Sequence, residues 1–197
     1  MTIMSDSWII QQCNTDEGMI TPYTPDSISR TDGSKHPSFG LSSYGYDLRI
    51  GDEFRIMQPC QDPTDETQFI NSRKEMPPNL WKSVKADSLL IQPGECVLGV
   101  SMEYLRIPRD ILVVCMAKST FARMFLETTV TPIESSWRGF VTIEMVNKSP
   151  RPIRIHAGDG IMQMLFFKGD QPCQISYEDR GGKYQDQPAV PVPPRHL

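Results

Sequence analysis

Glu144 stands in the run Phe140-Val141-Thr142-Ile143-Glu144-Met145-Val146. Its alternation places Val141, Ile143 and Met145 on one face of a strand, and Phe140, Thr142, Glu144 and Val146 on the other. A carboxylate set on a rigid strand among apolar groups has two readings. It is a surface glutamate facing water, the commoner case. Or partial desolvation raises its pKa and fits it to carry protons near neutral pH. Ser119 and Arg123 lie four residues apart, which on a helical turn directs a hydroxyl and a guanidinium to one side. Ser119 is then either a plain N-cap or, with Lys118, Thr120 and the free amides of a helix start, part of an anion site suited to phosphate.

Two further groups of residues are chemically suggestive. Thr131-Pro132-Ile133-Glu134-Ser135-Ser136-Trp137-Arg138-Gly139 reads as a hairpin that holds Glu134 in its loop, or as an ordinary turn. Near the C-terminus Tyr177, Arg180, Lys183, Tyr184, Gln185 and Gln187 form a donor-rich set, which is either a disordered tail or a lid that orders over a charged ligand.

The elements that must position these groups are short. The 17 prolines and 13 glycines cut the chain into pieces in which a helical period is hard to sustain. From Ser88 onward, β-branched or aromatic runs at Ser88 to Ile91, Glu95 to Ser101, Ile111 to Ala117, Phe140 to Val146, Ile153 to Ile155 and Ile161 to Phe167 predict strands. Turn residues divide them at Pro93-Gly94, Pro108-Arg109-Asp110, Arg138-Gly139, Ser149-Pro150 and Gly158-Asp159-Gly160. The pattern predicts a mainly β jelly-roll or distorted barrel. A short N-terminal helix is expected within Ser5 to Gly18, and one or two helical turns over Ser119 to Leu126. Cys60 to Lys85 reads as a long surface excursion or a hairpin, and 178–197, rich in Gly and Pro, as a mobile arm. At 197 residues the chain is expected to form a single domain over 1–197.

Composition narrows the function. With 20 basic against 24 acidic residues, the net charge of -4 offers no general attraction to nucleic acid, so a polyanionic ligand must be met by a local cluster. His36, His156 and His196 lack the neighbours of a zinc motif. The five cysteines, Cys13, Cys60, Cys96, Cys115 and Cys173, are widely spread and odd in number, which fits a reduced, cytoplasmic compartment. No apolar run approaches the roughly 20 residues that span a bilayer, and Met1 to Ser7 is polar, so neither a membrane anchor nor a secretory signal is expected.

Five blocks in order complete the reading. They are Leu41-Ser42-Ser43-Tyr44-Gly45-Tyr46-Asp47-Leu48-Arg49, Lys118-Ser119-Thr120-Phe121-Ala122-Arg123, Val130-Thr131-Pro132 running into Trp137 to Glu144, Gln163-Met164-Leu165-Phe166-Phe167, and Lys183-Tyr184-Gln185-Asp186-Gln187. Together they resemble the dCTP deaminase family of the trimeric dUTPase superfamily over almost the whole chain. The resemblance implies a dUTPase-like distorted barrel that assembles as a homotrimer with nucleotide sites at its interfaces. It implies zinc-independent hydrolytic deamination of dCTP to dUTP and ammonia, feeding dUMP and dTTP synthesis, with dTTP as a candidate feedback ligand.

Carried over residue by residue, the resemblance makes Glu144 the proton shuttle, with Ser119 and Arg123 holding the water and the developing intermediate. Lys118, Ser119, Thr120, Phe121, Ala122 and Arg123 would meet the substrate, its triphosphate above all. Gln163, Tyr177, Lys183 and Gln187 would close on it from the barrel and the arm, and Thr142 and Ile143 would offer backbone groups to the base. Magnesium would ride on the phosphates, with no protein ligands of its own. Two stretches depart from the family pattern: Ser135-Ser136 in the hairpin and Pro188-Ala189 after Gln187. They leave room for a modified dCTP or a monophosphate as the preferred substrate. A dUTPase or a bifunctional deaminase-dUTPase, with Glu134 activating water, is the nearest rival reading, and a non-catalytic nucleotide-sensing trimer is the second.

Overall fold

The computed structural model describes residues 2–27 and 36–195. The chain runs β1 (Thr2–Ile3), α1 (Asp6–Cys13), β2 (Ile20–Thr21), β3 (Gly40–Ser42), β4 (Gly45–Met57), β5 (Trp81–Lys85), β6 (Ser88–Ile91), β7 (Cys96–Arg106), β8 (Ile111–Ala117), α2 (Ser119–Arg123), β9 (Leu126–Thr129), β10 (Arg138–Asn147), β11 (Ile153–His156) and β12 (Gly160–Lys168). Ten strands form one curled sheet with the path β1-β12-β4-β7-β10-β9; β2 adds to β7, β3 and β5 to β4, and β8 to β12. A separate pair, β6 and β11, is in antiparallel register from Ser88↔His156 to Ile91↔Ile153. The mainly β, distorted-barrel expectation holds.

The curl originates in β4, 13 residues long. Its first part pairs with β12 through Tyr46 to Arg49, its second with β7 and β5, and the register breaks between Ile50 and Phe54. One strand thereby belongs to both halves of the sheet, and the concave side closes on Tyr46, Leu48, Ile50, Ile143, Met162, Met164 and Phe166, all buried. Helix α1 covers one end with Ile9 buried.

The strands predicted from Ser88 onward all form, two of the six as read and four of them one to four residues longer. The sequence reading placed no strand over β3, β4 or β9. The excursion from Gln58 to Leu80 carries a single 3-10 turn, Glu66–Gln68, before β5 closes a hairpin on β4. The helix expected over Ser119 to Leu126 ends at Arg123. There Met124 N–H reaches back to Thr120 and Phe121 carbonyls, Phe125 takes φ 61°, and the buried Leu126 pairs with Asn147 to begin β9. Lys118, not Ser119, occupies the N-cap position, and no side chain caps the helix.

Candidate active site

Strand β10 alternates as expected: Val141, Ile143 and Met145 are buried, while Phe140, Thr142, Glu144 and Val146 line the other face. Glu144 sits directly across from Thr129 on β9 and Leu98 on β7. Its side chain is exposed, yet the protein packed around the carboxyl withholds enough water to raise its pKa above the ordinary glutamate range; its own backbone N–H opposes this. Cys115 on β8 is close enough to feel that carboxylate. Burial, and then the charge of Glu144, push its thiol up to about 12.

Two residues along the same face, the Thr142 hydroxyl donates to Gln187 Oε1 at 2.8 Å and accepts the Val192 N–H at 3.0 Å. Gln187 is buried, its backbone bridging Gly139 in parallel and its carbonyl accepting Phe140 N–H. Gly139 is required here. Its φ is +142°, and a Cβ would lie 2.6 Å from Gln187 N. The C-terminal segment thus lies along the start of β10, beside the face that carries Glu144.

The same segment is tied to the Glu134 hairpin. Trp137 Nε1 donates to Tyr184 O, Arg138 pairs with Asp186 and Glu178, and Tyr177 N–H bonds Ser135 O while its hydroxyl accepts Tyr184 N–H. Arg180 stacks over the Tyr177 ring and forms an ion pair with Glu134. Lys183 is half-buried, and its carbonyl receives Arg195.

The second cluster gathers at the start of α2. Ser119, Thr120, Ala122 and Arg123 are exposed, whereas the Phe121 side chain is buried, leaving only its backbone available to a ligand. Arg123 and Ser119 make no side-chain hydrogen bond or ion pair with any described residue. Gln163 on β12 is across from Asp47 on β4 and from Met116 on β8. Ile143 faces the core, so it too can offer only backbone. No hydrogen bond or ion pair within the chain joins the α2 residues to Glu144.

The sequence reading did not single out Asp47 and Cys115 as members of the site. Each lies inside a block or strand that was read, and burial of an ionisable group was the signal that no spacing rule reveals. A cavity of about 1190 Å³ lies elsewhere, between the 57–80 excursion and the turn at Pro93-Gly94, and contains none of the residues above. Among the described residues no three His, Cys, Asp or Glu side chains converge as a metal site, and no helix is long and apolar enough to cross a membrane. His196 lies outside the described residues.

A family profile described as dCTP deaminase-like matches residues 3–169. The chain belongs to the dCTP deaminase-like family. Its similarity to curated members extends end to end. The dCTP deaminases of Herminiimonas arsenicoxydans and Ralstonia pickettii are each 44% identical over 193 residues, which is 98% of this chain and 99% of theirs. The crystal structure of 2'-deoxycytidine 5'-triphosphate deaminase from Agrobacterium tumefaciens shares the fold, with a TM-score of 0.57 at 21% identity. That match covers 85% of this dCTP deaminase-like chain and 48% of the longer chain, so it speaks for architecture alone.

Proposed function

We propose that this chain is an enzyme that deaminates dCTP hydrolytically to dUTP and ammonia, with Glu144 as the acid-base group. The observation that carries the reading is the end-to-end similarity to curated dCTP deaminases, joined to a carboxylate of raised pKa on the open face of β10. Water must add to C4 of cytosine while N3 gains a proton. The tetrahedral centre then expels the amino group, protonated, as ammonia. A single carboxylate can take the proton from water, deliver one to N3, and pass another to the departing nitrogen, and a pKa lifted toward neutrality suits both directions of transfer. Arg123 and Ser119 are free donors able to hold the attacking water and the charge that develops on the ring. Thr142 and Ile143 supply the strand backbone along which the base would lie.

The substrate is taken as the magnesium complex of dCTP, the ion riding on the phosphates. Thr120 and the exposed turn of α2 suit the triphosphate, with Lys183 the basic group of the C-terminal segment. That Ser119 and Arg123 make no polar contact with Glu144 within one chain supports a homotrimer in which neighbouring subunits complete each site. Leu112, Met116, Met124 and Phe125, exposed apolar groups on β8 and after α2, supply the sticky surface such an assembly needs. Glu134, the group a pyrophosphate-releasing enzyme would use on water, is engaged by Arg180, which favours deamination. We place the enzyme in the cytoplasm.

The test incubates the protein with dCTP and magnesium, with and without a strong chelator of zinc, and follows ammonia, dUTP, dUMP and pyrophosphate together. Ammonia and dUTP without pyrophosphate support the reading. Pyrophosphate with dUMP transfers the chemistry to Glu134, and no reaction with dCTP removes this substrate.

A further inference from the structure

Beyond β12 the described residues form no further helix or strand, so the seat of Tyr177, Lys183 and Gln187 depends on contacts with the rest of the chain. Those contacts concentrate on four residues of the Glu134 hairpin. Ser135 O accepts Tyr177 N–H, Ser136 O accepts Gln185 Nε2, Trp137 Nε1 donates to Tyr184 O, and Arg138 O accepts Asp186 N–H. The carbonyls among these are groups that any residue would offer. The Arg138 guanidinium is different in kind. Its Nε lies 2.6 Å from Asp186 Oδ1 and its Nη1 2.7 Å from Glu178 Oε1. The loop between those two carboxylates carries Lys183 and Tyr184. It is folded on itself: the Tyr177 hydroxyl accepts Tyr184 N–H at 2.9 Å, and Gly182 lies so close to the Tyr177 ring that a Cβ would be 1.9 Å from it. Arg138 closes this loop at its base. A planar fork of donors can serve two carboxylates at once, where a lysine would offer one point charge. Arg138 also shares one face of β10 with Glu144. At about 3.3 Å per residue the two stand roughly 20 Å apart along the strand, so Arg138 touches neither Glu144 nor a base beside it. Its effect has to travel through the segment it holds.

We propose that Arg138 is a positioning residue for nucleotide capture: by joining Glu178 to Asp186 it closes the 178–186 loop before substrate arrives and presents Lys183 to the triphosphate. The inference deepens the deaminase reading of this site and rests on it for its kinetic consequences. A segment already ordered in the free protein costs less to order when the nucleotide binds. Loss of the clasp therefore weakens binding of ground state and transition state alike, which raises KM at unchanged kcat. Both ion pairs are open to solvent, so the effect is modest and sensitive to salt.

The experiment compares Arg138→Ala and the double variant Glu178→Gln/Asp186→Asn with the full-length parent. It measures KM and kcat for ammonia release from dCTP with magnesium, at low salt and at about 1 M salt, where charges are screened beyond ~3 Å. Amide hydrogen exchange and thermal unfolding are followed in the free proteins. Asp186 takes φ 56°, a conformation that asparagine also visits, so the amide substitutions leave the backbone undisturbed. In either variant KM should rise on the order of fivefold at low salt, with kcat within about twofold of the parent. Exchange should rise at Gly182, Tyr184, Gln185 and Asp186 and stay as in the parent at Val141, Ile143 and Met145. At high salt the ratio of variant to parent KM should shrink toward one. A rise in KM confined to Arg138→Ala overturns the proposal, because it gives the guanidinium a direct contact with the nucleotide. So does unchanged exchange from Gly182 to Asp186, or a KM ratio that persists at high salt. If Arg138→Ala unfolds well below the parent's temperature, the double variant, which leaves the arginine in place, carries the test. If the parent itself releases no ammonia from dCTP, the deaminase reading falls, and exchange in the free proteins still decides whether Arg138 holds the loop.

Discussion

Replacing Glu144 by Gln tests the chemistry with the least disturbance to the fold. The pairing of this residue with Thr129 and Leu98 is made by main-chain groups, which the substitution leaves intact. The side chain is exposed and accepts from no other side chain, so unfolding should shift by no more than about 0.5 kcal/mol. The amide keeps the volume and loses the titration. A positioned proton carrier contributes about 10²- to 10⁴-fold, which at about 1.4 kcal/mol per decade is about 3 to 5 kcal/mol of barrier. The assay is ammonia release from dCTP under saturation, with dCTP binding measured in parallel by calorimetry. Binding should persist while kcat falls by at least about a hundredfold. The pH profile adds a second reading. Partial desolvation raises the carboxyl's pKa, so the ionised form that accepts the water's proton disappears as pH falls through a value above the ordinary glutamate range. The acid limb of kcat/KM should stand at that displaced position in the parent and vanish from the residual activity of Glu144→Gln. Turnover within tenfold of the parent would refute the assignment, and an acid limb unchanged in the variant would give the titration to another group.

Three more outcomes can be checked. Thr142→Val removes a donor to Gln187 and the acceptor of Val192 N–H, together about 1 to 3 kcal/mol of docking; amides from Gln185 to Val192 should then exchange faster, and unchanged protection would mean that the segment is held elsewhere. The Cys115 thiol, pushed up to about 12, should alkylate far more slowly at pH 8 than the exposed Cys60 and become somewhat faster in Glu144→Gln; equal rates at Cys115 and Cys60, read by mass spectrometry, would contradict its burial. The Arg109 guanidinium and the Ser176 N–H hold Asp179 down to about 2, so the stability this group contributes is full above its unfolded pKa and is lost progressively as pH falls from there through about 2, while the folded-state carboxylate itself stays ionised until pH nears 2. Protection at Ser176 should accordingly survive at pH 3, and its loss by pH 4 would sink the argument.

Much of the sheet was legible because its strands from Ser88 onward follow the rule that apolar groups alternate. Glu144 could be placed on the correct face of β10 from that alternation alone. Strand β4 escaped for the opposite reason. Asp47, Asp52, Glu53 and Arg55 interrupt its pattern, and the charge of Asp47 is neutralised by Lys118, 71 positions away in sequence. Arg49 likewise pairs with the fully buried Glu103 at 2.6 Å. A buried charge looks like a loop residue until its partner is known. Helix α2 was read too long because Met124, Phe125 and Leu126 are good helix formers or apolar. Only the reversal at Phe125 and the pairing of Leu126 with Asn147 show where the chain turns back. The C-terminal segment was legible in its donors but not in its seat, since the contact of Gln187 with Gly139 depends on the absence of a Cβ 48 residues earlier.

The first strand of the sheet pairs with the last, Thr2↔Lys168 and Ile3↔Phe167, and Met4 N–H continues the ladder to Phe166 O. During synthesis, β1 therefore leaves the ribosome long before its partner exists. At the usual pace of translation the interval is on the order of ten seconds. Throughout it the edge of β12 is absent, α1 has no Phe166 to set Trp8 against, and the barrel cannot close. Closure is a late and non-local event, which makes slow folding the expectation. A destabilising change at either end of the chain should accordingly lower the yield of folded protein in the cell more than it lowers the melting temperature of the molecules that do fold.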